Sequence, residues 1–243
     1  MPPAFQEQSA DRPDGGRRVL ERLRQESLRL GFSRLGVTTA EPPPRLHHFS
    51  KWIDRGFAGV MEGWMRRHLS LRRNPDNLLP GTQSVIMLAT DYDARAVDSR
   101  ENPDRGQIAR YAIGRDYHNV LRSRLNQLGG WLEEAMPGCK TRGVVDSAPL
   151  AEREFAARAG LGWFGKNTML IDRRAGSYFF LSGLLTTVSL PVDYPVEVDH
   201  CGTCTACLDI CPTDALPEPR VLDANRCISA LTIEDHGPIA KSF

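Results

Sequence analysis

The chain has 243 residues, 41% of them hydrophobic, and a formal net charge of +1 from 31 Lys and Arg against 30 Asp and Glu. That length gives one large domain, or a medium and a small one, with a packed core. The charge balance excludes a strongly basic nucleic-acid binder of the histone type, though not local basic patches. No apolar run approaches a membrane span. The opening MPPAFQEQSADRPDGG has neither the basic start nor the apolar stretch of an export signal, and residues 1–16 read as a disordered tail.

From Arg17 to Leu30 the apolar residues Val19, Leu20, Leu23 and Leu30 share one helical face, and Gly31 supplies a C-cap. Ser33–Thr38 reads as a short strand. After Pro42-Pro43-Pro44 a second helix carries Leu46, Phe49, Trp52, Ile53 and Phe57, the stripe of an element packed on a sheet. His47 and His48 beside it read as surface residues.

Residues 59–80 form the densest basic stretch, with Arg66, Arg67, Arg72 and Arg73. Two readings stand: a solvated helix face, or an anion contact made by guanidinium forks. Ser84–Thr90 (SVIMLAT) is a continuous apolar run, expected of a buried strand. Tyr92–Gly106 is polar and reads as a mobile lid or loop. The stretch ARYAIGRDYH (109–118) leads into a helix with Val120, Leu121, Leu125, Leu128, Trp131 and Leu132 in register, ended by Pro137-Gly138.

Thr141–Asp146 reads as a strand whose last residue is acidic. Asp146 then has two readings. It is a carboxylate at a strand's C-terminal edge, where sheets of α/β proteins place their chemistry, or it is the N-cap of a helix at Leu150–Ala159. The segment AGLGWFGKNTMLI (159–171) spaces Gly160, Gly162 and Gly165 like a dinucleotide fingerprint, but it follows a helix rather than a strand and lacks the required setting. Its glycines read instead as backbone lying flat against a large ligand or a neighbouring strand. Ser177–Ser189 is a strand with Gly183 as a bulge or close approach. Pro191–Asp199 is a linker. No G-x-S-x-G occurs, and nothing supports a nucleophilic triad.

The cysteines organise the C-terminal part. Cys201, Cys204, Cys207 and Cys211 form C-x2-C-x2-C-x3-C followed by Pro212, the bacterial ferredoxin spacing. A zinc site favours two separated ligand pairs, and a disulfide framework suits a secreted chain. An iron–sulfur site is therefore expected, in a reducing, cytoplasmic setting. In two-cluster ferredoxins the fourth cysteine of such a run serves the other cluster, and Cys227 can join it. Two cubanes need eight thiolates and the chain has six cysteines, including the distant Cys139, which reads as a small buried hydrophobe. The expectation is a chain that stops before a second cysteine run. The whole reads as α+β: a tail (1–16), a body (17–190) and an incomplete ferredoxin-like module (191–243).

The segments LRRNPDNLLPGTQSVI, RYAIGRDYH, VVDSAPLAEREFAARAGLGWFGKNTMLI, the cysteine run and LDANRCISALTIE cover most of residues 59–238. Together, and in this order, they resemble the epoxyqueuosine reductases, cobalamin-dependent iron–sulfur enzymes of queuosine synthesis in tRNA. The resemblance implies a cobalamin-binding body related to nitroreductase-like folds, followed by a two-cluster ferredoxin-like 4Fe–4S module. It implies that Co(I), fed by the clusters from an electron donor, acts on the epoxide of the modified base, with Asp146 as proton donor if burial beside the corrin raises its pKa. By the same match, Cys201, Cys204 and Cys207 serve one cluster and Cys211 and Cys227 the other. Arg72 lies near the corrin. Arg158, Gly165, Lys166, Thr168, Ser182 and Ser229 lie in segments expected to line the cobalamin or tRNA surface, and Tyr111, Arg115 and His118 are candidates for tRNA contact. A monomeric protein with no membrane association is expected. Two other classes compete: a pure electron-transfer protein using the cluster module alone, and a cobalamin-binding protein without turnover.

Overall fold

Alternation along one strand explains the body. Strand β2 has Ile86 and Leu88 buried in one apolar cluster, while Val85, Met87 and Ala89 are buried in another. Successive side chains of a strand point to opposite faces, so a strand covered on both sides reads as an unbroken apolar run. The computed structural model describes residues 13–92, 108–196 and 198–239. In chain order its main elements are α1 (Pro13–Arg29), β1 (Arg34–Thr39), α2 (Leu46–Asp54), α3 (Glu62–Arg67), α4 (Leu69–Arg73), β2 (Ser84–Asp91) and α5 (Tyr117–Ala135). There follow β3 (Thr141–Val144), α6 (Glu152–Arg158), the two-residue strands β4 (Trp163–Phe164) and β5 (Leu170–Ile171), β6 (Phe179–Thr186) and the short α7 (Ala206–Asp209).

Four strands form one sheet in the order β1-β2-β6-β3, every neighbour antiparallel. Helices α1 and α5 cover one face, through Leu20, Leu23, Leu121, Leu125, Leu128 and Leu132. Phe155, Ala156 and Ala159 of the α6 region cover the other, with Leu78, Leu150 and Leu170. Close approach sets two glycines. An added Cβ on Gly36 would stand 2.0 Å from the Ala159 carbonyl oxygen, and one on Gly183 would stand 2.8 Å from Val144 Cγ2. Gly183 pairs in register with both Met87 and Val144, so it is a close approach and not a bulge.

Two expectations change. Helix α1 begins at Pro13, four residues inside the expected tail. Proline is well suited to a first helical turn, and residues 1–12 lie outside the described ones. Helix α2 does not lie on the sheet: it packs on α3, and Trp52 Nε1 donates to the Leu222 carbonyl in the C-terminal segment at 2.5 Å. The expected lid lies, beyond Tyr92, outside the described residues up to Gly106. The ends that follow Leu30 and Ala135 are as expected, with Gly31 and Gly138 in the left-handed region at φ +86° and +88°. Among the described residues, no helix is long and apolar enough to cross a membrane.

The C-terminal segment has little regular structure beyond α7 and a π-turn at Ala230–Glu234. It is fastened to the body at several points. Asp193 accepts from Arg24 Nη2 at both carboxylate oxygens and from the Val37 backbone N–H, each at 2.8 Å. Ala224 N–H donates to Phe57 O at 2.8 Å, and Arg220 N–H donates to Lys166 O at 2.8 Å.

Candidate active site

Helix α5 and strand β3 form a return. The chain runs down α5, turns at 136–140 and comes back along β3, which brings its end to the beginning of α5. Just past that end Asp146 adopts φ +46°, in a turn closed by Ala148 N–H to Val145 O at 3.4 Å. Aspartate visits this left-handed region more readily than most residues. The turn presents the Asp146 side chain, 58% exposed, to the first residues of α5.

Two donors converge there on one oxygen. Tyr117 Oη donates to Asp146 Oδ2 at 2.8 Å, and His118 Nε2 lies 2.9 Å from the same oxygen. The other ring nitrogen of His118 lies 2.8 Å from Asp116 Oδ1, so the imidazole bridges two carboxylates. Asp116 is also the N-cap of α5, accepting from the His118 backbone N–H. Stacking fixes the rings: Tyr117 lies between Phe180, centroids 4.2 Å apart, and His118, 4.0 Å apart. Burial acts to lower the His118 pKa, but the hydrogen bonds to Asp146 and Asp116 outweigh it and raise it. Burial and the bond to Asp146 push the Tyr117 phenol up, so it stays a donor.

Behind Asp146 sits a group that sequence reading missed. The Asp146 backbone N–H donates to Glu152 Oε1 at 2.9 Å. Desolvation, then the facing Asp146 carboxylate, push the Glu152 carboxyl up to about 8. The N-cap reading of Asp146 fails, because the residue flanking α6 is Ala151 and no side chain caps that helix. Glu152 was legible only as a second acid six residues after Asp146, and Tyr117 only as the neighbour of a histidine at a helix start.

The site opens on a cleft of about 490 Å³ lined by Tyr111, Gly114, Arg115, Asp116, Tyr117 and His118. Tyr111 and Arg115 are exposed on its wall, and Tyr111 meets Tyr117 edge-on. A larger cleft of about 600 Å³ lies at Arg34, Asp91, Asp172 and Arg174. Its Arg34 pairs with both Asp91 and Asp172, so that guanidinium is committed within the chain.

The remaining expected residues divide. Arg72 lies half-buried against Phe49 and Trp64, donates from Nη1 to Leu150 O at 3.2 Å, and leaves its buried Nε without a partner. Burial lowers its pKa. Arg66, by contrast, is exposed and paired with Glu62 and Asp54. Arg158 is committed within the chain, to Thr39 O and Oγ1 and to Glu41 O. Ser182 is enclosed in the sheet at 1% exposure, its hydroxyl unpartnered, and Ser229 is exposed before the π-turn.

Gly165, Lys166 and Thr168 belong to the β4–β5 hairpin, whose glycines lie against the neighbouring strand. A Cβ on Gly162 would stand 2.2 Å from Ile171 O, and one on Gly165 would stand 2.4 Å from Ile171 Cδ1. Thr168 takes φ +68° in the turn. Lys166 Nζ donates to the carbonyls of Gly202 (2.7 Å) and Cys204 (2.9 Å), clamping the cysteine loop.

All six cysteines are free thiols. Cys139 packs against the α1/α5 cluster, its sulfur 3.1 Å from Thr186 Oγ1. Cys211 Sγ accepts from Ala215 N–H at 3.3 Å. Among the described residues no three His, Cys, Asp or Glu side chains are grouped closely enough to hold a metal ion by themselves.

Comparison with known proteins decides the lineage. Residues 72–147 match the family model "Epoxyqueuosine reductase QueG, DUF1730", and residues 200–243 match the "4Fe-4S double cluster binding domain". The epoxyqueuosine reductase of Escherichia coli is 44% identical over 228 residues, spanning 93% of this chain and 60% of the relative. The chain is similar to the epoxyqueuosine reductases along nearly its whole length. A solved epoxyqueuosine reductase from Bacillus subtilis, described with its catalytic aspartate loop swung out of the active site, superposes with a TM-score of 0.83. It is 34% identical over 93% of this chain and 60% of its own. Another, solved with an epoxyqueuosine-modified tRNA stem loop, superposes with a TM-score of 0.79 at 32% identity over the same shares. The chain thus spans about 60% of the length of these relatives. Its α+β body accords with their structures, and its cysteine segment is an iron–sulfur one.

Proposed function

We propose that this protein works as an epoxyqueuosine reductase, reducing epoxyqueuosine to queuosine at the wobble position of a tRNA. Cobalamin would bind the nitroreductase-like body, residues 17–190. The ferredoxin-like segment, 191–243, would serve two 4Fe–4S clusters supplied by an external electron donor, in a cytoplasmic monomer. The observation that carries the reading is Asp146, turned outward by left-handed backbone and held by Tyr117 and His118, two residues that line the cleft.

The residues present fit both groups. Arg72 Nε is a buried donor without a partner, suited to an amide or phosphate oxygen of the cofactor. Free thiols in ferredoxin spacing are a soft donor set suited to iron–sulfur ligation. Cys201, Cys204 and Cys207 would hold one cluster, Cys211 and Cys227 the other, with Lys166 steadying the loop. Reduced cobalamin supplies a strong, soft nucleophile for epoxide opening. The chain's part is positioning and protons. Opening a strained epoxide develops charge on oxygen, and Asp146 supplies the proton that neutralises it. Tyr117 holds the carboxyl in place from a ring immobilised by stacking. Tyr111 and Arg115, exposed on the cleft wall, would meet a base and a phosphate of the tRNA.

The test is anaerobic reconstitution with cobalamin, iron and sulfide, reading cobalt and iron per chain, followed by turnover of tRNA carrying epoxyqueuosine under a strong reductant. Bound cobalt with formation of queuosine supports the proposal. A stable cubane without any cobalamin binding would replace it with electron transfer.

A further inference from the structure

Stoichiometry asks for more than one acid. Deoxygenating an epoxide to an alkene consumes two electrons and two protons and releases one water: both C–O bonds break, one C=C bond forms, and the oxygen leaves with both protons. The electrons come from a low-potential one-electron carrier through the clusters. One carboxyl group carries one proton, so Asp146 must be refilled within the turnover.

The geometry points to His118 as the relay that refills it. We infer that the Nε2 proton of His118 passes to Asp146 Oδ2 as Asp146 gives its own proton to the substrate oxygen. His118 then recovers a proton at the cleft. This rests on the function proposed above. Nε2 lies 2.9 Å from the carboxylate, within proton-transfer reach. Nδ1 lies 2.8 Å from Asp116 Oδ1, and Asp116 is 55% exposed, so the far side of the ring adjoins water. Two carboxylates flanking one imidazole favour its doubly protonated form, the state a relay needs when loaded. Facing groups are few: Asp116 from the α5 cap, Asp146 from the β3–α6 loop, Tyr117 stacked on the ring, Glu152 behind Asp146, and Arg115 on the same cleft wall. Tyr117 cannot substitute for His118, because its phenol holds its proton well above neutrality.

His118→Gln separates relay from scaffold. Glutamine can still donate to Asp146 but cannot release a proton. In the reconstituted holoenzyme the variant should lose least at acid pH, where solvent refills Asp146. Its alkaline fall-off should move to lower pH, leaving it about 10- to 100-fold slower than wild type at pH 8. Added imidazole should restore the rate. His118→Ala should show the same profile and rescue, which guards against an effect peculiar to glutamine. An unchanged profile, or a loss uniform in pH and unmoved by imidazole, would overturn the relay while leaving the reductase reading intact. A wild-type holoenzyme that binds cobalamin yet never converts the epoxide would remove both.

Discussion

The Asp146 backbone N–H and Glu152 Oε1 meet at 2.9 Å, so the turn carrying the acid is tied by its main chain to the first turn of α6. The tie has a pH sign. Glu152 is lifted from an ordinary value of 4.5 to about 8, so between those values the folded protein holds a proton that the unfolded chain has released. Stability therefore falls as pH rises through that window. Glu152 is only half-buried, which discounts the expected loss to about 1–3 kcal/mol between pH 5 and 9. Glu152→Gln keeps an acceptor for the Asp146 N–H and should flatten this part of the profile. Thermal melts of the two proteins at both pH values check it, and parallel profiles would show that Glu152 does not carry the proton.

Asp146→Asn retains an acceptor oxygen for Tyr117 and His118 but has no acid. Cobalamin binding should be unaltered and epoxide reduction should fall by about 10²- to 10⁴-fold. Cobalt content and single-turnover rates measured on one preparation separate the two. Turnover at the wild-type rate would remove Asp146 as the proton donor.

Lys166 offers a test of the clamp on the cysteine loop. Lys166→Met removes two charge-assisted bonds, to the carbonyls of Gly202 and Cys204, each worth at most about 1.5–3 kcal/mol. The body should melt as before, while bound iron is lost faster to a chelator. Equal iron retention in both proteins would mean that the loop needs no clamp.

Gly36→Ala forces a methyl to within 2.0 Å of a carbonyl oxygen that ends α6. Neither the strand nor the helix end can yield cheaply, so we expect a loss of about 2–4 kcal/mol. Urea denaturation measures it, and a loss below about 0.5 kcal/mol, the usual range of surface changes, would show that α6 can shift away.

What the sequence disclosed follows from locality. SVIMLAT is a strand between two layers, and its unbroken apolar character announces that. Gly31 marks its helix end because the left-handed conformation there favours glycine. The ferredoxin spacing lies within twelve residues of chain. The site's partners are different in kind. Tyr117 and His118 lie 29 and 28 residues before Asp146 and reach it only because α5 and β3 fold back on each other. No residue spacing encodes that return. The apolar stripe of α2 was visible, but a stripe does not say what covers it, and α3 and the C-terminal segment cover it rather than the sheet. Of the two readings of the basic stretch, Arg66 takes the solvated helix face, exposed and paired with Glu62 and Asp54, which composition alone does not distinguish from an anion contact.

The fastenings of the C-terminal segment carry a kinetic meaning. Asp193 is pinned to Arg24 and Val37, Leu222 is bonded by Trp52, and Ala224 and Arg220 are stitched by their main chain to Phe57 and Lys166. A carrier on a loose tether must search for its acceptor before each electron moves, and its rate then depends on tether length and solvent viscosity. Under the proposed function, these fastenings would fix the gap between donor and acceptor when the chain folds. Under the proposed function, electron delivery within the chain should be insensitive to added glycerol, leaving encounter with the external donor as the only diffusive step.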